Sequence, residues 1–376
     1  MSRGPDRALL AVLIGLLIVV VGCSTGQAPA QPTGTSGATD APTGSPAVAG
    51  GLVINSCGGL YGESIETAFI APFEEDTGID VVYDPNCDDQ TTKLAAHAEA
   101  GQVQWDVIGG FGGPLYKDLH DQGLLATIDH EALGSDVMGL AEGATQPFGL
   151  GFHHDGVVVG YHASQLPEGA TPTVEDYFDL EAYPGARGMT GGGFEDWTRP
   201  ALALVADGVE PADLIPLDWE RAFAKLDTIK DEAVFWTGGT EMMTVMLEDR
   251  AVMCLCSDAR MLQAQREDDD IKLSFDGALR SMIFWAIPEG APHSDMALEF
   301  LASTLDPERQ AHFTELIGYS GVNGASYDLL PAELQSQVLV NPENLSGTWA
   351  FTPEQDAWLA ENASDASERY STWVSE

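Results

Sequence analysis

The order of apolar and polar positions after residue 50 predicts strands and helices in alternation. Short apolar runs predict buried strands at 52–54, 79–83 and 105–108. Between the first two runs, apolar side chains recur at the spacing of a helix that ends at Gly78: Ile65, Phe69, Ile70 and Phe73. Further helices are predicted at 91–100 and 114–121. Alternation of this kind is typical of βαβ units in a mostly parallel sheet.

A second series of elements begins near residue 148. The run at 152–161 predicts a strand that crosses between two lobes, and a run at 281–287 predicts a strand that returns the chain to the first lobe. The other elements of this series are a strand at 251–256 and helices at 174–178, 219–230, 242–247, 294–305 and 307–317. The sequence therefore predicts an α/β fold with two lobes, each a mostly parallel sheet flanked by helices.

Loops at the carboxyl ends of the first strands are expected to line a ligand crevice, as they do in other open α/β sheets. These loops lie at 55–61, 84–88 and 109–113. The first and the last are rich in glycine, which lets backbone N–H groups approach a ligand closely.

Cysteines follow two of these strands. Cys57 and Cys87 both lie just past the carboxyl ends of neighbouring predicted strands, which predicts a disulfide between them. The sequence leaves open whether Cys254 and Cys256 are paired, free or metal-binding. A metal site is not expected, because neighbouring His and Cys residues at ligand spacing are missing.

Residues 1–50 differ in composition from the rest of the chain. Two arginines precede an apolar run at 8–21, which predicts a secretory signal peptide over 1–22. The sequence VVGC that ends at Cys23 resembles a bacterial lipobox, so Cys23 is the expected lipidation site; a short membrane anchor with an incidental cysteine is the alternative. Residues 23–50 are rich in Pro, Thr, Gly, Ser and Ala and are expected to form a disordered tether.

The charge balance excludes one class of partner. The chain has 59 acidic and 16 basic residues, a formal net charge of −43. Phosphate backbones and anionic membrane surfaces would be repelled, so nucleic-acid binding is not expected. Two explanations stay open: a surface adapted to salt or solubility, or an electrostatic funnel for a cationic ligand.

Six segments resemble the solute-binding proteins of bacterial ABC importers, specifically the spermidine/putrescine-binding type. In chain order they are APFEEDTGIDV, WDVIGG, GLLATID, YFDLEAYPGARGM, FWAIPEGAPHSDMALEFLASTLDPERQ and IGYSGVNGAS. The resemblance implies a type II periplasmic-binding-protein-like fold, with crossing hinge strands and a solute trapped between the lobes by hinge closure. It implies lobe 1 at 51–155 plus about 284–335, and lobe 2 at about 156–283 plus about 336–376.

In that family, carboxylates pair with the amines of the ligand and aromatic rings line its methylene chain. The resemblance matches the acidic residue of one ligand loop to Asp196, and the aromatic residue of the first lobe to Tyr61 or its neighbour Leu60. A second carboxylate falls near Gly193 and another at about Ile283, so both of these amine partners are absent from this sequence.

The residues expected to contact the ligand follow predicted strands or lie in glycine-rich loops: Ser56, Gly59, Tyr61, Phe111, Asp196, Trp197, Trp236, Ser257 and Asp258. Packing at a helix start is the alternative role for Tyr61. Arg280 is expected to pair either with a ligand carboxylate or with an acidic side chain of the protein. His153 and His154 are adjacent on a strand and so point to opposite faces, which argues against a metal site.

The sequence therefore predicts a lipid-anchored, extracytoplasmic receptor that binds a small solute and delivers it to an ABC permease. A polyamine such as spermidine or putrescine is the first expectation for the solute, and a small amino- or carboxylate-bearing solute is the alternative. A sensor or an enzyme on the same scaffold is a further alternative, although the sequence has no Gly-x-Ser-x-Gly or His-Glu-x-x-His motif. We expect a monomer without catalytic residues, cofactor or metal.

Overall fold

A mixed β-sheet runs through the protein. The computed structural model describes residues 51–131, 133, 137–193 and 195–376. Within these residues the strands are β1 (Leu52–Asn55), β2 (Val81–Asp84), β3 (Val107–Gly112), β4 (Thr145–Gln146), β5 (Gly149–His162), β6 (Arg187–Thr190), β7 (Ala233–Trp236), β8 (Met253–Ser257), β9 (Ile271–Ala286) and β10 (Ser320–Gly321). They are ordered β2-β1-β3-β9-β5-β8-β6-β7, and β4 and β10 pair with β5.

The sheet has two parallel halves joined by two long antiparallel strands. In the first half β1 pairs in parallel with β2 and β3, and in the second half β6 pairs in parallel with β7 and β8. Between the halves, β5 and β9 pair with each other from Leu150 opposite Trp285 to His162 opposite Ile271. One end of β9 also pairs with β3, and the far end of β5 pairs with β8. Both strands therefore belong to both halves, as expected for crossing strands.

Helices flank this sheet. They are α1 (Gly59–Ile65), α2 (Ala71–Thr77), α3 (Gln90–Ala100), α4 (Gly113–Asp121), α5 (Val174–Tyr177), α6 (Thr198–Ala206), α7 (Trp219–Asp227), α8 (Gly239–Leu247), α9 (Asp258–Glu267), α10 (Ser294–Ser303), α11 (Pro307–Ile317), α12 (Gly324–Leu329), α13 (Ala332–Gln335), α14 (Pro342–Ser346) and α15 (Pro353–Ser375). A π-helical turn at Glu66–Ile70 joins α1 to α2.

Local sequence signals explain several helix ends. Gly78 and Gly318 adopt left-handed φ angles of 72° and 100°, which end α2 and α11 at no steric cost. Thr352 and Gln355 form a capping box at the start of α15, so both satisfy backbone N–H groups that the helix leaves unpaired. The longest helix of the described residues therefore has a well-defined starting point.

Each half of the sheet has its own apolar core. In the first half Phe69, Phe152 and Trp285 pack in one buried cluster, and a second cluster surrounds Trp105. In the second half the buried clusters contain Tyr177, Tyr370 and Trp373 in one case and Trp236 with Val245 and Met246 in another. The loops that follow the strands are thus anchored on two separately packed bodies that share β5 and β9.

The predicted fold class is confirmed, and the differences in detail have physical causes. Strand β9 begins at residue 271 rather than 281. Its first part, 271–280, mixes polar and charged side chains with apolar ones, so it contains no continuous apolar run that would predict a buried strand. Strands β6 and β7 and helices α6, α9 and α15 were not predicted. Strand β6 contains an arginine and a glycine, and β7 is an apolar run of only four residues, too short to distinguish a strand from a loop. The lobe boundaries near 156 and 284 lie within β5 and β9 and stay predictions.

The N-terminal features lie outside the described residues: the signal peptide at 1–22, lipidation of Cys23 and the tether at 23–50. Across the described ranges, every helix is too short or too polar to traverse a bilayer.

Candidate ligand site

The first half offers backbone and open space at the carboxyl ends of β1 and β3. Ser56 is fully buried after β1, and a Cβ added at Gly110 would lie 3.2 Å from its Oγ. Gly59 has a left-handed φ of 64°, and a Cβ there would have no neighbour within 4 Å. Phe111 is buried in the core of this half, edge-on to Tyr116. Gly59 therefore leaves open space beside the backbone, whereas at Gly110 the neighbouring side chains already fill the place of a Cβ.

Disulfides link two pairs of cysteines. Cys57 and Cys87 are joined at an S–S distance of 2.05 Å, so the disulfide expected from the strand order ties the loop after β1 to the loop after β2. Cys254 and Cys256 are also joined, within β8, and both are fully buried. The sequence left open whether these two cysteines are paired, free or metal-binding, and in the structure they are paired.

A buried amide network supports the turns of the first half. Gln90 Nε2 donates to Asn55 Oδ1 at 2.7 Å and to the carbonyl of Gly109 at 3.2 Å. The Tyr116 hydroxyl donates to Gln90 Oε1 at 3.1 Å. Because these groups are buried, each would be costly to leave unpaired. The network therefore fixes the ends of β1 and β3 relative to each other.

Tyr61 forms a neutral pair with His153. The Tyr61 hydroxyl lies 2.8 Å from His153 Nε2, and His153 Nδ1 lies 3.0 Å from the carbonyl of His154. A carbonyl only accepts, so Nδ1 carries the proton and Tyr61 donates to Nε2. Burial lowers the pKa of His153 to about 3 and raises the pKa of Tyr61. The pair holds α1 against β5 and brings no charge to the crevice.

Ser257 and Asp258 meet the crossing strand β5. Ser257 Oγ donates to Asp155 Oδ1 at 3.0 Å and lies 3.2 Å from the Tyr319 hydroxyl. Asp258 is fully buried, and its Oδ1 accepts the N–H of Gly156 at 3.1 Å. Burial raises the pKa of Asp258 well above its ordinary value, and the charge of Asp155 adds to this effect. Burial raises the pKa of Asp155 as well, but Ser257, Arg199 and the bond with Asp258 lower it. Asp155 is therefore the member of the pair that ionises first and is the better partner for a cation.

Glu195 extends from the second half to the first. It has a left-handed φ of 51°, and its carboxylate accepts the backbone N–H of Gly112 at the end of β3. A Cβ at Gly112 would overlap Glu195 Oε1, whereas a Cβ at Gly113 would lie 4.0 Å from Asp356 Oδ2. Burial raises the pKa of Glu195 to about 7, helped by the charges of Asp155 and Asp356. Burial likewise raises the pKa of Asp356 to about 7.

Arg199 is a buried cation that forms no ion pair with a carboxylate among the described residues. Its side chain lies on α6, and the residue is 8% exposed. Nη2 donates to the carbonyl of Leu255 at 3.4 Å, while Nε is buried and bonds to no group in the described part of the chain. Arg199 lies near enough to Asp155 and Glu195 to lower the pKa of both carboxyls. An unpaired buried guanidinium is costly, so this position suits an anionic group of a ligand.

We call this group the crossing site, because it surrounds the point where β5 passes from one half to the other. Its members are Asp155, Glu195, Arg199, Ser257 and Asp258. Arg260 on α9 is close enough to lower the pKa of Asp155. Arg280 on β9 lies beside His154, lowers its pKa, and has a buried Nε that bonds to no described group. The site thus combines carboxyls with two guanidinium groups, of Arg199 and Arg280, whose Nε atoms bond to no described group.

The other predicted residues of the second half lie in its packed interior. Asp196 accepts the N–H of Gly193 at 3.0 Å and bonds to Ser367 of α15. Trp197 is buried against the same helix, in a cluster with Leu359 and Ala366. Trp236 ends β7 and lies against Gly188, where a Cβ would come within 2.5 Å of its ring. The structure therefore brings together Ser257 and Asp258 but leaves both tryptophans in apolar cores.

Sequence reasoning missed Arg199 and Asp356 as members of the site region. The chain has 16 basic residues, so an arginine inside the apolar segment TRPALALVA was a signal that something must compensate its charge. Asp356 follows Glu195 by more than a hundred positions and carries no local signal at all. Its place near Gly113 depends on how α15 packs against α4.

Comparison with known proteins agrees with this architecture. Residues 68–342 match the family model described as bacterial extracellular solute-binding protein. The chain belongs to this family, and it is a solute-binding protein of the kind that serves ABC transporters.

Individual relatives carry more specific names. A gamma-aminobutyric acid (GABA)-binding protein of Pseudomonas aeruginosa is 28% identical over 328 residues, which cover 86% of this chain and 90% of the relative. A solved GABA receptor is 26% identical with a TM-score of 0.78, covering 86% of this chain and 97% of the receptor. A structure named as a spermidine/putrescine ABC transporter from Listeria monocytogenes is 20% identical with a TM-score of 0.69, covering 86% and 99%; this likeness shows the fold alone.

Proposed function

We propose that the protein captures a small amino acid whose amine and carboxylate are separated along the molecule, with GABA as the first candidate. The observation that carries the proposal is Arg199, whose buried guanidinium lies near a group of carboxyls and whose Nε bonds to no group in the described part of the chain. A ligand carboxylate would pair with this guanidinium, and a ligand ammonium would pair with Asp155. The names of two relatives, both with GABA as ligand, support the same choice.

A polyamine satisfies only part of this arrangement. Its ammonium groups would pair with Asp155 and Glu195, but it has no anionic group for Arg199. It would also place further positive charge near a guanidinium that is already unpaired. A polyamine therefore stays the second candidate, favoured by the three carboxyl groups of the crossing site.

We propose that the solute is passed to an ABC permease without any covalent step. The expected lipid on Cys23 and the tether at 23–50 would keep the receptor at the membrane while the two halves open and close. A tether of this length spans roughly 30 Å on average, which would let the two halves open and close without pulling on the membrane anchor.

Isothermal calorimetry with GABA, putrescine and spermidine at one pH and moderate salt tests the proposal. We expect heat of binding with GABA and a weaker or absent signal with the polyamines. Binding of a polyamine and not of GABA would overturn the choice of ligand. Mass spectrometry of solute that copurifies with the native protein provides an independent check, because it needs no prior choice of ligand.

A further inference from the structure

We propose that Glu195, assisted by Asp356, is a proton-dependent latch that holds the two halves of the sheet together across the crevice. The proposal concerns the equilibrium between open and closed protein. It does not depend on which solute the crossing site binds.

The Glu195 side chain contacts the first half at a position where glycine leaves space for it. Its carboxylate accepts the N–H of Gly112, and the space that a side chain would fill at Gly112 is taken by Glu195 Oε1. Gly112 itself has a φ of −76° and a ψ of 170°, an extended conformation that any residue adopts. A side chain at this position is therefore compatible with the backbone but would displace the Glu195 carboxylate from its contact.

The backbone of Glu195 indicates that the contact holds a strained loop. Its φ of 51° lies in the left-handed region, which is unfavourable for a residue with a side chain. Such a conformation persists where surrounding interactions stabilise it, and the bond to Gly112 is one of these. Loss of the contact would let the loop after β6 relax away from the first half.

Charged groups on several elements surround the latch. Asp155 on β5 and Asp356 on α15 raise the pKa of Glu195, and Arg199 on α6 lowers it. On α4, Lys117 is paired with Asp121 at 2.5 Å and does not compensate the latch. Further along β8 and α9, Asp258 is held neutral by burial and by its neighbour Asp155. Carboxyls therefore dominate the surroundings of Glu195.

The pH dependence follows from burial. In the arrangement of this structure, with Glu195 against Gly112, the pKa of Glu195 is about 7 against an ordinary value of 4.5, and that of Asp356 is about 7 against 3.8. This arrangement is the closed one of the proposal. Opening exposes both carboxyls to water and returns each pKa toward its ordinary value. The closed arrangement is therefore fully stable below these ordinary values, loses stability as the pH rises toward 7, and has lost this contribution above 7.

Small-angle X-ray scattering of the solute-free protein at pH 5.5 and pH 8.5, at constant ionic strength, measures the latch directly. The titration of Glu195 alone is expected to lower the ratio of closed to open protein ~30-fold as the pH rises from 5.5 to 8.5. The radius of gyration should rise accordingly. In the variant Glu195→Gln/Asp356→Asn, where neither side chain titrates, the radius of gyration should change with pH much less than in the wild type.

Two alanine variants separate the latch from general disruption. Gly112→Ala is expected to open the protein at both pH values, because its Cβ takes the place of the Glu195 carboxylate. Gly113→Ala is the matched control and should scatter like the wild type, since its Cβ would meet nothing closer than 3.6 Å. Urea unfolding of each variant confirms that it is folded.

The proposal is overturned if Gly112→Ala scatters like Gly113→Ala, or if Glu195→Gln/Asp356→Asn opens with pH as the wild type does. Calorimetry with GABA decides the proposed ligand separately. A protein that fails to bind GABA but shows the expected scattering would keep the latch and lose only the ligand assignment.

Discussion

The two halves of the sheet contribute different things to the same crevice. The first half presents glycine-rich backbone at Gly59, Gly110 and Gly112, held by a disulfide and a buried amide network. The second half presents charged side chains, among them Glu195 and Arg199. Because the glycine turns of the first half carry no charged side chains, the second half must supply the charges that pair with a ligand. The charged groups proposed to bind the ligand therefore lie in the second half of the sheet, and the disulfide and hydrogen bonds that stabilise the turns lie in the first.

This separation has a reason in packing. Glycine turns leave room for groups that arrive from the opposite side, as the fit of Glu195 on Gly112 demonstrates. Turns without side chains have few contacts of their own, so they need support from behind. Gln90, bonded to both Asn55 and Gly109, provides that support. Substitutions in the first half should therefore affect stability, and those in the second half should affect binding.

The strongest test of this contrast is Arg199→Gln. If the ligand carboxylate pairs with this guanidinium, its removal leaves a buried carboxylate unpaired, which costs about 3–5 kcal/mol. Calorimetry should then show an affinity for GABA more than ~100-fold lower. Arg221→Gln is the matched control, because Arg221 pairs with Asp207 on the surface. Equal affinities of the two variants would remove Arg199 from the site.

In the first half, the double variant Cys57→Ser/Cys87→Ser should act on stability instead. The disulfide closes a segment with a sequence separation of 30, and its loss should lower the free energy of unfolding by about 3 kcal/mol. Urea unfolding measures this effect. Calorimetry on the folded variant should find a much smaller change in GABA affinity than Arg199→Gln causes, and a larger change would contradict the division between the halves.

The pair of acids at the crossing site allows a finer test. Asp155→Asn removes the carboxylate that we assign to the ligand ammonium, so we expect a ~10-fold or greater loss of GABA affinity. Asp258→Asn replaces a carboxyl that burial already keeps neutral, and should change the affinity less. The opposite ranking in calorimetry would mean that the proton of the pair lies on Asp155.

The smallest expected effects come from single hydrogen bonds behind the site. Tyr370→Phe removes a bond of 2.8 Å to the carbonyl of Thr190, and should lower the free energy of unfolding by about 1 kcal/mol. Tyr116→Phe leaves Gln90 Oε1 buried without this donor and should cost somewhat more. Thermal or urea unfolding compares the two, and a larger cost in the second half would weaken the view that support is concentrated in the first.

The sequence predicted what depends on local pattern. Apolar runs located β1, β3 and β5, and the order of strands brought Cys57 and Cys87 together. Ser257 and Asp258 were predicted as ligand contacts because they follow an apolar strand, where ligand loops begin, and this role stays a prediction. The segments that resemble a known family supplied its transport role, which agrees with the family that residues 68–342 match.

Other parts of the site depend on contacts that a local pattern does not contain. Trp236 follows an apolar pair and precedes two glycines, so a loop was as consistent with the sequence as the strand end that the structure has. The closeness of Asp356 to Gly113 results from the packing of a helix that begins more than two hundred residues later. Arg199 became a candidate only because its buried Nε has no hydrogen-bond partner among the residues that the structure describes.

The continuity of β5 and β9 limits how this protein can be recombined. Each strand is hydrogen-bonded in one half at one end and in the other half at the other end. A chain cut near residue 156 or 284 would leave each fragment with incomplete strands, so neither half is a self-sufficient module. A chimaera with a relative would have to inherit both strands in a common register. Ligand preference can therefore be exchanged through the loops far more readily than through whole halves.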